Sequence, residues 1–209
     1  MEALPTWIVK YAQTAYNPPP DGNCGYHCLA HALAHDNPEG PYKSPNGWFQ
    51  VRQDLVRELD NQPHTWRRLL GEKDLQVVRE RIMVPTPDSP VDTNKWLSRL
   101  DAGPLAAEVY NRPVIFLSHD GGSMTFVPTS KAPGPKPKGP IFLCFADGCH
   151  WFLLNVKRGT APFPSPLVSR AFSKSPAGPW LQQIEGSTKL YSEMNEMFGC
   201  LELFFHIPL

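Results

Sequence analysis

Residues 17–35 read NPPPDGNCGYHCLAHALAH, and the meaning of this stretch decides how the rest of the chain is read. It holds two cysteines four apart, three histidines at helical spacing, and an Asp-Gly-Asn leading into the first cysteine. Three readings compete: a metal site, a redox pair, and a nucleophile at the start of a helix. Cys24 and Cys28 are one residue too far apart for a Cys-x-x-Cys redox pair. His27, His31 and His35 share one face, and Cys144 and Cys149 could add ligands. The stretch nevertheless lacks zinc knuckles and an acidic residue where a metalloprotease places its base. We therefore expect no metal and no cofactor.

The third reading has a physical basis. Asn23 is a good helix cap and Gly22 permits a tight turn, so a helix from Cys24 to about His35 is expected. A cysteine in the first helical turn meets unpaired amides and the positive end of the macrodipole, which favour thiolate. Amides from Asp21 to Cys24 could form an oxyanion hole, with Asp21 part of it. The competing reading is that Cys24 is a small packing residue.

A nucleophilic cysteine needs a histidine from elsewhere in the chain. His150, in DGCHWFLLN (147–155), stands after a turn at the beginning of an apolar strand, where it can be aimed. Trp151 beside it can wall a substrate cleft. His64 falls in a polar helical region, His119 in a hairpin turn, and His206 in the tail.

The surrounding chain supplies a frame. Trp48, Val51, Leu55, Val56 and Leu59 recur at helical period within 47–60. EKDLQVVRERIMV (72–84) predicts another helix, ended by Pro85. Residues 94–111 form a fourth helical region, with a start after Gly103-Pro104 left open. Short strands are expected at 112–118 and 123–128, followed by a hairpin over 139–156. Helices followed by strands predict an α+β fold, a helical subdomain packed on a small, mainly antiparallel sheet.

Proline, at 24 of 209 residues, is about twice its usual share and divides the chain. SKAPGPKPKGP (130–140) must be an extended connection or exposed loop. Residues 158–179 read as a linker, which gives a domain over 1–157 and an extension over 180–209. Twenty basic residues balance twenty acidic ones, so nothing favours nucleic acid or an anionic membrane. No apolar run is long enough to span a membrane, and Met1–Trp7 does not read as a signal peptide. The odd count of five cysteines fits free thiols in a reducing compartment, with a cytoplasmic location expected.

Three segments carry a resemblance to a known family. PDGNCGYHCLAHAL (20–33) resembles the nucleophile motif of the ovarian-tumour (OTU) superfamily of cysteine proteases, most of whose members are deubiquitinases. CHWFLL (149–154) resembles its histidine motif. NKWLSRLDAGPLAAEVYNRPVIFL (94–117) is similar to its middle segment. The three occur in the family's order. The resemblance implies a papain-like protease fold, with Cys24 and His150 as catalytic residues and ubiquitin or its conjugates as substrate. Ubiquitin-like modifiers are further candidates.

Many cellular relatives place Asp or Asn two residues after the histidine, a position held here by Phe152. The arterivirus papain-like protease instead uses an asparagine seven residues before the cysteine, which here is Asn17. Asn155 and Asp147 are its rivals. That likeness implies a viral polyprotein origin, the host-cell cytoplasm and evasion of innate immunity. The arterivirus zinc finger is absent or rebuilt, since no cysteine lies between Cys28 and Cys144. A polyprotein-processing protease with the same triad and a catalytically silent ubiquitin-binding module are the alternatives.

Overall fold

The computed structural model describes residues 9–70, 75–118, 122–146, 148–157, 162–168 and 177–205, with 198–205 as backbone only. His119, Asp147, His206 and most of the expected linker lie outside the described residues. The architecture is α+β, as expected. A five-stranded sheet has the order β1 (Ala12–Tyr16), β5 (His150–Val156), β4 (Ile141–Ala146), β2 (Val114–Ser118), β3 (Met124–Phe126). The pairings β1–β5, β4–β5 and β2–β3 are antiparallel, whereas β2–β4 is parallel. The connection from β3 to β4 contains the proline-rich stretch. It is mostly exposed and held at its two ends, by Trp180 Nε1 donating to the Lys131 carbonyl at 2.7 Å and Arg112 Nε donating to the Gly139 carbonyl at 2.6 Å.

Helices α1 (Cys24–Asp36), α2 (Gly47–Asn61), α3 (Pro63–Leu69), α4 (Leu75–Ile82) and α5 (Arg99–Tyr110) precede β2. The first core joins Leu29, Leu33, Val51, Leu55 and Leu105 from these helices to Val114, Phe116, Leu143, Trp151 and Leu153 from the sheet. Alternate residues of the same strands, Ile115, Leu117, Phe142, Cys144 and Leu154, face a second core with Phe163 and Met194. Met194 belongs to a sixth helix, α6 (Gly178–Phe205). Near its start, Trp180 and Ile184 pack with Val127 and Ala177. Covering both faces explains why every residue of β2 is buried, a pattern of continuous apolar strands rather than one-sided alternation.

Two elements differ from what periodicity alone predicts. The helix at 99–110 contains Pro104 instead of beginning after it. A proline there removes the amide that would bond to the Leu100 carbonyl, and Leu100 itself is exposed. Strand β1 (AQTAY) has no apolar alternation and three of its five residues are exposed. Its edge pairing with β5, rather than burial, makes it a strand.

Candidate active site

The sheet and α1 bring the ends of the sequence motifs together. Strand β1 runs antiparallel to β5 with Tyr16 opposite Leu153, so the residue after β1 comes to the beginning of β5. Those two residues are Asn17 and His150, and Asn17 Oδ1 lies 2.7 Å from His150 Nε2. Asn155, the rival, donates instead to Thr14 Oγ1 at 2.9 Å.

Helix α1 lays its first turn against the same strand. The amide of Trp151 donates to Cys24 Sγ at 3.4 Å, and Cys28 Sγ approaches the Trp151 carbonyl at 3.6 Å. The spacing of four residues thus places both sulfurs on one residue of β5, one at its amide and one at its carbonyl. Among the described residues no hydrogen bond joins Cys24 to the imidazole. One residue of strand separates the two contacts, since the amide on Cys24 follows His150 directly.

Trp151, expected along the cleft, is buried. Its indole donates to the Leu97 carbonyl at 3.3 Å and packs against Phe116 and Phe145. What reaches Cys24 is its backbone amide.

The loop before Cys24 is tightly ordered. Gly22 has φ +81°, a conformation that suits glycine. Asp21 Oδ1 accepts the Asn23 amide at 2.8 Å, and Asp21 Oδ2 lies 3.0 Å from His27 Nε2. Burial alone would raise the Asp21 carboxyl, but the His27 and Asn23 contacts outweigh it and hold it below the usual value. The Asp21 carboxylate therefore braces the turn.

Asn23, expected to cap α1 with its side chain, does not do so. Its Oδ1 accepts from Arg52 Nε at 3.0 Å. Nor is the Cys24 thiol acidified overall. Burial pushes it above the ordinary cysteine value, and nearby Asp21 adds to this, outweighing the Trp151 and Gly25 amides that favour thiolate. Helix position alone, the basis of the sequence expectation, omits that desolvation.

The histidine stripe has other partners. His27 meets Asp21, and His31 stacks on Tyr16 with ring centres 3.9 Å apart. They flank a groove of about 490 Å³ between α1 and the start of α2, lined also by Pro19, Tyr42 and Trp48. Burial raises the Cys28 and Cys144 thiols.

Sequence reasoning missed Arg52 and the segment that covers the loop. A side chain at Gly22 would meet Val91 and Trp96, and one at Gly25 would meet Leu97. Arg52 did leave a signal: a cation at the spacing of Trp48, Leu55 and Leu59 stands on the apolar face of its helix.

No protein-family model and no curated protein matches the sequence. Among solved structures, the chain is similar to the Hazara virus OTU domain bound to ubiquitin, at 18% identity over 72% of this chain and 84% of that one, with a TM-score of 0.46. The OTUD1 OTU domain matches at 13% identity over 68% and 84%, and the viral OTU domain protease from Dera Ghazi Khan virus at 13% over 72% and 85%. Both have a TM-score of 0.46.

Proposed function

We propose that this chain is a cysteine protease of the ovarian-tumour type that hydrolyses the bond after the C-terminal glycine of ubiquitin. The observation that carries the reading is the convergence of Asn17 and Cys24, from one stretch of the sequence, on the His150–Trp151 unit more than 120 residues later. A chain that used Cys24 only for packing would have no need of an Asn17–His150 bond beside it. Ubiquitin as the substrate rests on the motif resemblance.

The chemistry follows from the atoms available. Asn17 occupies Nε2 of His150, so Nδ1 is the nitrogen left for the thiol proton. With a raised thiol, proton transfer accompanies attack instead of preceding it. Nδ1 accepts the Cys24 proton as sulfur bonds to the substrate carbonyl carbon. Amides at the start of α1 stabilise the resulting oxyanion. The carbon–nitrogen bond breaks as Nδ1–H protonates the departing amine. Water then adds to the thioester, losing a proton to Nδ1, and the carbon–sulfur bond breaks as Nδ1–H returns that proton to sulfur, regenerating the thiol and the neutral imidazole.

Labelling with a ubiquitin probe bearing a C-terminal electrophile tests this reading. Wild type should form a covalent adduct and Cys24→Ala none, with His150→Ala strongly slowed. Cleavage of ubiquitin chains by Cys24→Ala would overturn the assignment. A wild type that binds ubiquitin without ever forming the adduct is the silent module.

A further inference from the structure

Arg52 is 1% exposed and extends from α2 to the back of the loop that leads into Cys24. Its Nε donates to Asn23 Oδ1 at 3.0 Å, Nη1 to the Ile82 carbonyl at 2.7 Å and Nη2 to the Lys95 carbonyl at 2.9 Å. Nη1 also approaches the Arg81 carbonyl at 3.4 Å. The guanidinium carbon stands 3.7 Å from the centre of the Tyr26 ring. Among the described residues none of its hydrogen-bond partners is a carboxylate. The ionisable groups that face it are Tyr26 and Cys24 of α1 and Asp21 of the preceding loop.

The consequence lies at the helix end. Asn is among the strongest N-cap residues because its side-chain oxygen accepts an amide of the first turn. At Asn23 that oxygen is taken by Arg52, and the helix has no side-chain cap. The first-turn amides, including the Gly25 amide that favours thiolate on Cys24, are left without that competitor. An Asn released from Arg52 would fill the place where negative charge must develop.

We propose that Arg52 is a positioning residue that holds the amide oxygen of Asn23 away from α1 and so keeps the start of this helix open for the anion formed at Cys24. The proposal rests on the reading of Cys24 as the nucleophile. Its distinctive feature is that it gives Asn23 a harmful alternative conformation, which a second substitution can remove.

The test uses Arg52→Lys, which keeps a charge but loses the Nε contact, alone and combined with Asn23→Ala. Two rates are read: alkylation of Cys24 by iodoacetamide, resolved by mass spectrometry, and turnover of a fluorogenic ubiquitin substrate. Loss of one charge-assisted hydrogen bond at the reacting sulfur predicts that Arg52→Lys slows alkylation and kcat about tenfold with KM little changed. Adding Asn23→Ala should restore much of both rates, since alanine has no side-chain acceptor. Failure of that rescue in folded protein would overturn the proposal.

If Arg52→Lys does not fold, Asn23→Ser and Asn23→Ala are compared with Arg52 intact. Serine can cap α1 and alanine cannot, so slower alkylation in the serine variant alone supports the proposal and equal rates refute it. A wild type inert toward the ubiquitin substrate would count against the function proposed above, while alkylation still decides the role of Arg52.

Discussion

Asn17 Oδ1 and His150 Nε2 meet at 2.7 Å although 133 residues separate them in the sequence. The contact is made across two paired strand ends, by the residue that follows β1 and the first residue of β5. It fixes which ring nitrogen faces the asparagine and which remains for a proton. Asn17→Ala should lower kcat about tenfold to a hundredfold with KM nearly unchanged, the scale of one hydrogen bond to a charged group. Steady-state kinetics on a ubiquitin substrate decide this. A variant with wild-type kcat would remove Asn17 from the site and return the choice to Asp147.

The protonation state of Cys24 gives a second expectation. A thiol raised by burial, and further by Asp21, holds its proton to higher pH than a free cysteine. Less thiolate is therefore present at neutral pH, and the midpoint of the alkylation-rate profile should lie above the ordinary cysteine value. Asp21→Asn keeps an oxygen for the Asn23 amide but removes a charge that disfavours thiolate, so its midpoint should fall. A wild-type rate already at its plateau at neutral pH would instead mean a preformed thiolate–imidazolium pair.

The far side of the sheet predicts a stability effect with no catalytic component. Trp180 is 1% exposed, packs near Val127 and Ile184, and anchors the proline-rich connection through its bond to the Lys131 carbonyl. Trp180→Ala removes a large buried aromatic and leaves a cavity, a change that costs about 3–5 kcal/mol. Urea unfolding should show that loss. Any variant protein that remains folded should keep a wild-type rate of Cys24 alkylation, because Trp180 lies on α6 and the site on α1 and β5.

These contacts also show what was legible in the sequence. The α+β class, the helices starting at Cys24 and Gly47, and the β4–β5 hairpin follow from hydrophobic period and turn residues. Strand β1 does not, because AQTAY has no buried face and owes its form to pairing with β5. The side-chain direction of Asn23 was equally hidden. Local preference makes it a cap, and only a buried Arg52 29 residues away redirects it. The sign of the Cys24 shift was missed for the same reason, since desolvation depends on what covers the thiol. Asn17 and His150 could be named from motifs, but their contact depends on strand register.

Gly22 offers the last expectation, where turn geometry and the proposed chemistry can be separated. Its φ of +81° is unfavourable for an L side chain, and an added Cβ would lie 2.9 Å from Val91 Cγ1 and 3.0 Å from the Val91 carbonyl oxygen. Gly22→Ala should therefore cost about 1–3 kcal/mol, from backbone strain and displaced neighbours. The strain falls two residues before Cys24, in the turn braced by Asp21 and Asn23. Relief of the clash by moving Val91 would leave Cys24 in place and the φ strain unrelieved, lowering the melting temperature but sparing reactivity. Relief by rotating the turn would shift the Cys24 amide and slow adduct formation with the ubiquitin probe. Asp21 and Arg52 both hold the loop on its own side, so Val91 should yield: the expected result is a lower melting temperature with probe labelling within about threefold of wild type. Near-complete loss of labelling in a still-folded Gly22→Ala protein would show that the turn moves first.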